Sequence, residues 1–274
     1  LDDGDFLDID WKKQGSNRLV VLCHGLEGSS DSSYILGMSK TFFEQSFDVA
    51  ALNYRSCSGE MNLSMRFYHH GATDDLHEVM ELSKGYEEVH LVGFSLGGNL
   101  VLKYCGESTF EKPKNLKKVV AFSVPLDLED CVREIHKFKN QIYVQNFLIT
   151  LKRKVKAKNK AIPELNTQPL KKIKSLLDFD QHYTAPIHGF NDAWDYYQKV
   201  QSKQFLKDIT IPTLIINALD DPMLGEGCYP RTSEHEKENI QFMYPKYGGH
   251  CGFINKNDSM YWSEEVALEF ISNQ

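Results

Sequence analysis

No C-x-x-C pair occurs among the six cysteines of this chain: Cys23, Cys57, Cys105, Cys131, Cys228 and Cys251 are scattered over 274 residues. Such spacing suits neither a zinc site nor a dense disulfide framework. Several of the six sit in apolar runs, where a free thiol behaves as a small hydrophobe, so a reducing, cytoplasmic setting is expected. Basic excess is missing too. Lys and Arg number 31 against 38 Asp and Glu, a net charge of −7. That excludes a general nucleic-acid binder, because the phosphate backbone demands a basic face. No apolar run approaches the ~18 residues of a membrane span, and the first residues lack the pattern of a secretory signal. The chain opens on Leu1 instead of Met, so processing or trimming ahead of it stays open. Internal repeats and low-complexity tracts are absent.

What is present is an alternation. The apolar runs "RLVVLCHG" (18–25), "FDVAALNYR" (47–55), "EEVHLVGF" (87–94), "KKVVAFSVP" (117–125), "IPTLIINALD" (211–220) and "IQFMYPKYGGH" (240–250) have strand length. Segments long enough for helices separate them, with helices expected at 71–84, 96–106 and 258–270. Near-continuous apolar strands alternating with helices predict an α/β fold with a parallel sheet covered on both faces. Between about 127 and 207 the rhythm stops, and the middle of that stretch, "FLITLKRKVKAKNKAIPELN" (147–166), is strongly basic. The expectation is one domain, 1–274, with a core of 1–126 and 208–274. The 127–207 insertion would form a helical cap over the carboxyl ends of the strands, where open α/β sheets bind ligands.

One serine stands between glycines at a predicted strand-to-helix junction: "GFSLGG", with Ser95 between Gly93 and Gly97. A serine hydroxyl is a weak nucleophile, and a strained elbow there holds it exposed provided its neighbours are small. The G-x-S-x-G pattern alone is common by chance. Its place between strand and helix is what points to nucleophilic catalysis. The following helix adds free N–H groups and a positive dipole end beside the hydroxyl.

Serine needs a base, and the base needs an orienting carboxylate, in the chain order Ser, acid, His, each after a later strand. "NALDDP" (217–222) ends one run with Asp220 and Asp221, and "YGGHCGF" (247–253) sets His250 in a glycine-rich loop. His69, His70 and His77 precede the serine, His90 lies in its strand, His182 and His188 lie in the insertion, and His235 lies in a polar stretch. His250 stands apart because two glycines permit a loop that carries its ring over the serine. Between the aspartates, the spacing of three from Asn217 favours Asp220, with Asp221 before Pro222 read as capping or stiffening the turn. Two backbone N–H groups are expected to hold the oxyanion: Leu96, directly after the serine, and Leu26, after His-Gly in "CHGLEGSS" (23–30).

Taken together, "DGDFLDIDW" (3–11), "HGLEGSS" (24–30), "NYRSCSGEMN" (53–62), "GFSLGGN" (93–99), "FDQHYTAPIHGF" (179–190), "DYYQKV" (195–200), "NALDDP" and "GGHCGF" (248–253) resemble the YheT-like branch of the α/β-hydrolases, the AB-hydrolase-domain esterases. The resemblance spans nearly the whole chain. It implies the α/β-hydrolase fold and carboxylic-ester hydrolysis, with some members acting on phospholipids or transferring acyl groups. It also implies triad roles for Ser95, Asp220 and His250 and oxyanion roles for Leu26 and Leu96. Two departures stand out: a further N-terminal segment usual in the family is not in this sequence, and Ser56 and Ser58 replace glycines of its "RGCGGE" stretch.

The reading is therefore a serine esterase acting on short- to medium-chain or lipid-like esters through an acyl-enzyme, without metal or organic cofactor. Rivals are an acyltransferase using the same three residues and a non-catalytic binding protein on the same fold. The "FDQHYTAPIHGF" segment reads first as a rigid turn tying insertion to core. The basic insertion reads first as a solvated helix face, and secondly as a surface for transient contact with anionic lipid. The sequence leaves chain-length preference and oligomeric state open.

Overall fold

A computed structural model describes residues 1–230, 239–255 and 260–273. Seven strands, β1 (Asp8–Lys12), β2 (Arg18–Cys23), β3 (Asp48–Asn53), β4 (Glu88–Phe94), β5 (Leu116–Phe122), β6 (Thr213–Ile216) and β7 (Ile240–Met243), form one sheet in the order β1-β3-β2-β4-β5-β6-β7. All neighbouring pairs are parallel except β1 with β3. The unbroken apolar character of the central strands follows from burial on both faces. In β2, Leu19, Val21 and Cys23 join one core, while Val20 and Leu22 join the other.

Helices supply the two coverings. On one face α2 (Thr73–Glu81) and α3 (Leu96–Gly106) bring Leu76, Met80, Leu100 and Val101 onto the sheet. On the other, α1 (Ser33–Glu44) and α7 (Trp262–Ser272) contribute Ile35, Met38, Phe42, Ala267 and Ile271. Of the last expected helix, 258–270, the first two positions lie outside the described residues, as does His235.

The expected strands at 211–220 and 240–250 are shorter in the structure. At the end of β6 the Asn217 side chain accepts from the Val124 N–H (2.6 Å) and donates to the carbonyls of Val124 and Cys228. Past Ile216 the bonding to the β7 segment thins to the N–H groups of Asn217 and Leu219, which donate to the carbonyls of Met243 (3.1 Å) and Pro245 (2.8 Å). Strand β1 was not expected. Its sequence, DIDWK, is polar and half-buried, as an antiparallel edge strand can be, and only Ile9 and Trp11 pack against the core.

Between β5 and β6 the chain is helical: α4 (Leu128–Ile135), α5 (Gln141–Ala161), a run of short helical turns from Leu176 to Ile187, and α6 (Ala193–Val200). Asp127 caps α4, accepting from the Asp130 N–H. Val144, Leu148, Leu151 and Val155 repeat at helical spacing along α5 and bury one face against Ile135, Leu170, Ile173 and Phe179. The "FDQHYTAPIHGF" segment contains a π-helical turn at Asp180–Thr184. His188 lies between the carbonyl oxygens of Thr184 and Phe67, at 2.7 and 2.9 Å, and Tyr196 on α6 accepts from the His70 N–H at 3.2 Å. These contacts fasten the inserted helices to the loop ahead of α2.

A second set of fastenings involves other motif residues. The buried Arg55 guanidinium pairs with Asp75 (2.6 Å), Asp3 (2.7 Å) and Asp5 (2.8 Å). Lys158 of α5, fully buried, donates to Asn62 Oδ1 and to the carbonyls of Ser64 and Arg66. Those groups thus join the N-terminal segment, the loop after β3 and α5.

Candidate active site

The strand-to-helix junction carries strain. Ser95, between β4 and α3, has φ 52° and ψ −115°, a conformation side chains other than glycine rarely adopt. A Cβ on Gly93 would lie 2.6 Å from the Gly97 carbonyl carbon, and one on Gly97 would lie 2.6 Å from the His24 carbonyl oxygen. The two glycines therefore let the elbow fold on itself and against the end of β2. Its N–H is bonded to Phe122 O on β5 (2.8 Å), so the sheet holds the elbow in place.

Opposite lies the loop after β2. His24 is buried, and burial pushes its pKa down to about 4, so the ring is neutral. Its Nδ1–H donates to Gly25 O (2.7 Å), and Nε2 accepts from the Tyr54 N–H (3.4 Å). Gly25 N–H donates to Tyr34 Oη at 3.0 Å. Glu27, at φ 56°, donates its N–H to Tyr68 Oη (2.7 Å), which in turn donates to Glu27 Oε1 (2.6 Å). Leu26 is thus held between two fixed neighbours, and it lines the same cavity as Ser95 and Leu96. Leu96 is the first residue of α3, so its N–H has no acceptor one turn back within the helix.

His250 Nε2 is 2.9 Å from Ser95 Oγ. Its Nδ1 is 2.8 Å from Asp221 Oδ2 and 3.1 Å from Oδ1. The carboxylate that meets the imidazole is therefore Asp221, not Asp220, and the expectation from spacing is corrected. Leu219 and Asp220 form an exposed turn after β6, and the next residue, Asp221, is buried. Asp221 has a fully buried side chain and also accepts from the Met223 N–H (2.9 Å). Asp220 instead accepts from the N–H groups of Gly248 and Gly249, at 2.9 and 2.8 Å, and so braces the histidine loop from outside. Gly249 has φ 55°, and a Cβ on Gly248 would meet the Phe253 ring at 2.5 Å. Burial opposes charge on the His250 ring. Cys251 and Asp221 outweigh it and hold the pKa well above the ordinary histidine value.

Above these residues is an apolar cavity of about 130 Å³. Its floor is Leu26, Ser95, Leu96 and His250, and the inserted helices supply Val132, Ile135, Phe147, Leu151 and Phe179. Among the described residues that line it is a nearly buried lysine, Lys154 of α5, paired with Glu27 (2.7 Å) and 3.3 Å from Cys57 Sγ. Sequence reading did not single out Lys154, Glu27 or Tyr68, because nothing local links a lysine on a basic helix to a loop 127 residues earlier. Among the described residues, no three His, Cys, Asp or Glu side chains are placed to share a metal ion, and no helix is long and apolar enough to cross a membrane.

Residues 18–257 match the family model of the alpha/beta hydrolase fold. The YheT protein of Escherichia coli (strain K12), which carries an esterase name, is 34% identical over 93% of this chain and 77% of its own length. Phospholipase ABHD3 of Bos taurus is 29% identical over 92% of this chain and 64% of its own. Monoacylglycerol lipase ABHD2 of Mus musculus is 24% identical over 93% and 65%. Among solved structures, the Pyrococcus furiosus esterase Pf2001 superimposes with a TM-score of 0.63 at 14% identity, over 98% of this chain and 88% of that one. The sheet order, the elbow and these matches lead to one conclusion: the chain belongs to the α/β-hydrolase family, in its YheT-like branch.

Proposed function

We propose that this protein is a serine hydrolase of carboxylic esters. The observation that carries the reading is the continuous hydrogen-bonded line from Ser95 Oγ through His250 to Asp221 beneath an apolar cavity. His250 takes the Ser95 proton as the hydroxyl attacks the ester carbonyl, then returns it to the departing alcohol. Asp221 keeps Nδ1 protonated, so that Nε2 faces the serine, and it balances the imidazolium that forms. The N–H groups of Leu26 and Leu96 hold the oxyanion. Water, activated by the same histidine, then releases the acid from the acyl-enzyme.

The inserted helices act as a cap over this chemistry. Their phenylalanine and leucine side chains favour an acyl chain of short to medium length or a lipid-like ester, in keeping with the esterase and lipase names of the relatives. A cytoplasmic setting belongs to the same reading and rests on the scattered, free cysteines. A fluorophosphonate probe followed by peptide mass mapping tests the assignment. Label is expected on Ser95 alone. Folded protein that takes no label there would favour a binding protein on this fold.

A further inference from the structure

Helix α5 has two faces with different surroundings. Its inward residues are buried, and Phe147, Leu151 and Lys154 line the cavity. Its outward face begins with large apolar side chains in solvent: Phe138, in the turn just before the helix, is 95% exposed, Ile142 67% and Ile149 47%. A step of seven residues aligns Ile142 and Ile149 on one stripe of the helix, and Phe138 stands exposed at its N-terminal end. The stripe continues as the exposed Arg153, Lys156 and Lys160.

Charge on this element is one-sided. From Gln141 to Ala161 there are six Lys and Arg and no Asp or Glu, in a chain whose net charge is −7. Lys154 and Lys158 point inward, onto Glu27 and Asn62. Lys137 and Lys139, beside Phe138, are answered by Glu134. Arg153, Lys156 and Lys160 make no ion pair among the described residues, and the next acid along the chain is Glu164, past the helix end.

A solvated helix face gains nothing from a nearly bare Phe and two exposed Ile. A helix at a lipid interface gains from both halves: apolar side chains enter the acyl–headgroup boundary while cations face lipid phosphates. We propose that this outer face of α5 docks the protein on an anionic lipid bilayer. The helix that walls the cavity would then rest on the phase that holds lipid-like esters. The surface does not depend on the triad, although its usefulness rests on the esterase reading.

The test uses the full chain carrying Ser95→Ala, so that no lipid is consumed. It is sedimented with phosphatidylcholine vesicles with and without phosphatidylglycerol. Binding to the anionic vesicles is expected to be at least about tenfold stronger, and to weaken as salt screens the cations. Reversing Arg153, Lys156 and Lys160 to Glu should remove that preference. Phe138→Ser with Ile142→Ser should lower binding while the salt dependence persists. In the Ser95 background of the natural chain, both variant sets should hydrolyse a water-soluble chromogenic ester at the parent rate. Equal binding to neutral and anionic vesicles, or variants that bind as the parent does, would overturn the proposal. So would a dimer that dissociates on Phe138→Ser, since the face would then belong to a second copy. Loss of soluble-ester turnover by Ser95→Ala bears on the esterase reading alone.

Discussion

Asp220 and Asp221 are adjacent in the chain and serve different parts of one loop. Asp221 Oδ2 lies 2.8 Å from His250 Nδ1, whereas Asp220 Oδ1 accepts from the N–H groups of Gly248 and Gly249. One carboxylate is buried behind the imidazole and the other braces the backbone that carries it.

This division separates two substitutions by magnitude. Asp221→Asn should lower kcat on a chromogenic ester by roughly 10³- to 10⁴-fold, because the wrong imidazole tautomer is then favoured. Asp220→Ala removes only an exposed brace and should cost about tenfold or less. Comparable losses for the two, or the reverse order, would return the role to Asp220.

Acidity separates them as well. The raised pKa of His250 means that the neutral base is present only at higher pH than for an ordinary histidine. The acid limb of kcat/KM should therefore fall with a midpoint above 6.5, the ordinary value. Asp221→Asn removes one of the causes that raise it, so the limb should move to lower pH. A limb that stays fixed, or moves upward, would show that the carboxylate does not charge-pair with this ring.

Lys154 and Glu27 form a nearly buried pair joining α5 to the loop of Leu26. Lys154→Met leaves the carboxylate uncompensated and should cost about 3–5 kcal/mol in denaturant unfolding. Adding Glu27→Gln should restore part of it, with a coupling of about 0.5–3 kcal/mol. Because Glu27 follows Leu26 directly, the single variant should lose kcat more than it raises KM. An uncoupled cycle would reduce the pair to two independent contacts.

How much of this could be read beforehand depends on what each residue needs locally. Ser95 and His250 stand among glycines because the elbow and the loop demand close approach and a left-handed backbone, and glycine leaves a visible mark. The central strands announce themselves through burial on both faces. The acid leaves no such mark: Asp220 and Asp221 are adjacent and chemically identical, and what separates them is the exposed turn at Leu219–Asp220 and the partners met from the loop of residues 248–250. The edge strand β1 does alternate, with Ile9 and Trp11 between Asp8, Asp10 and Lys12, but two apolar residues in five give too short a pattern to stand out beside the apolar central runs. The meeting of Lys154, Glu27 and Tyr68 is purely tertiary, and no spacing could encode it.

The most direct measurement compares purified protein with its Ser95→Ala variant on a water-soluble chromogenic ester, with unfolding curves for both. Removal of the nucleophile should cost at least about 10³-fold in kcat/KM while the two unfold alike. Turnover in the variant equal to that of the parent would contradict a mechanism built on Ser95.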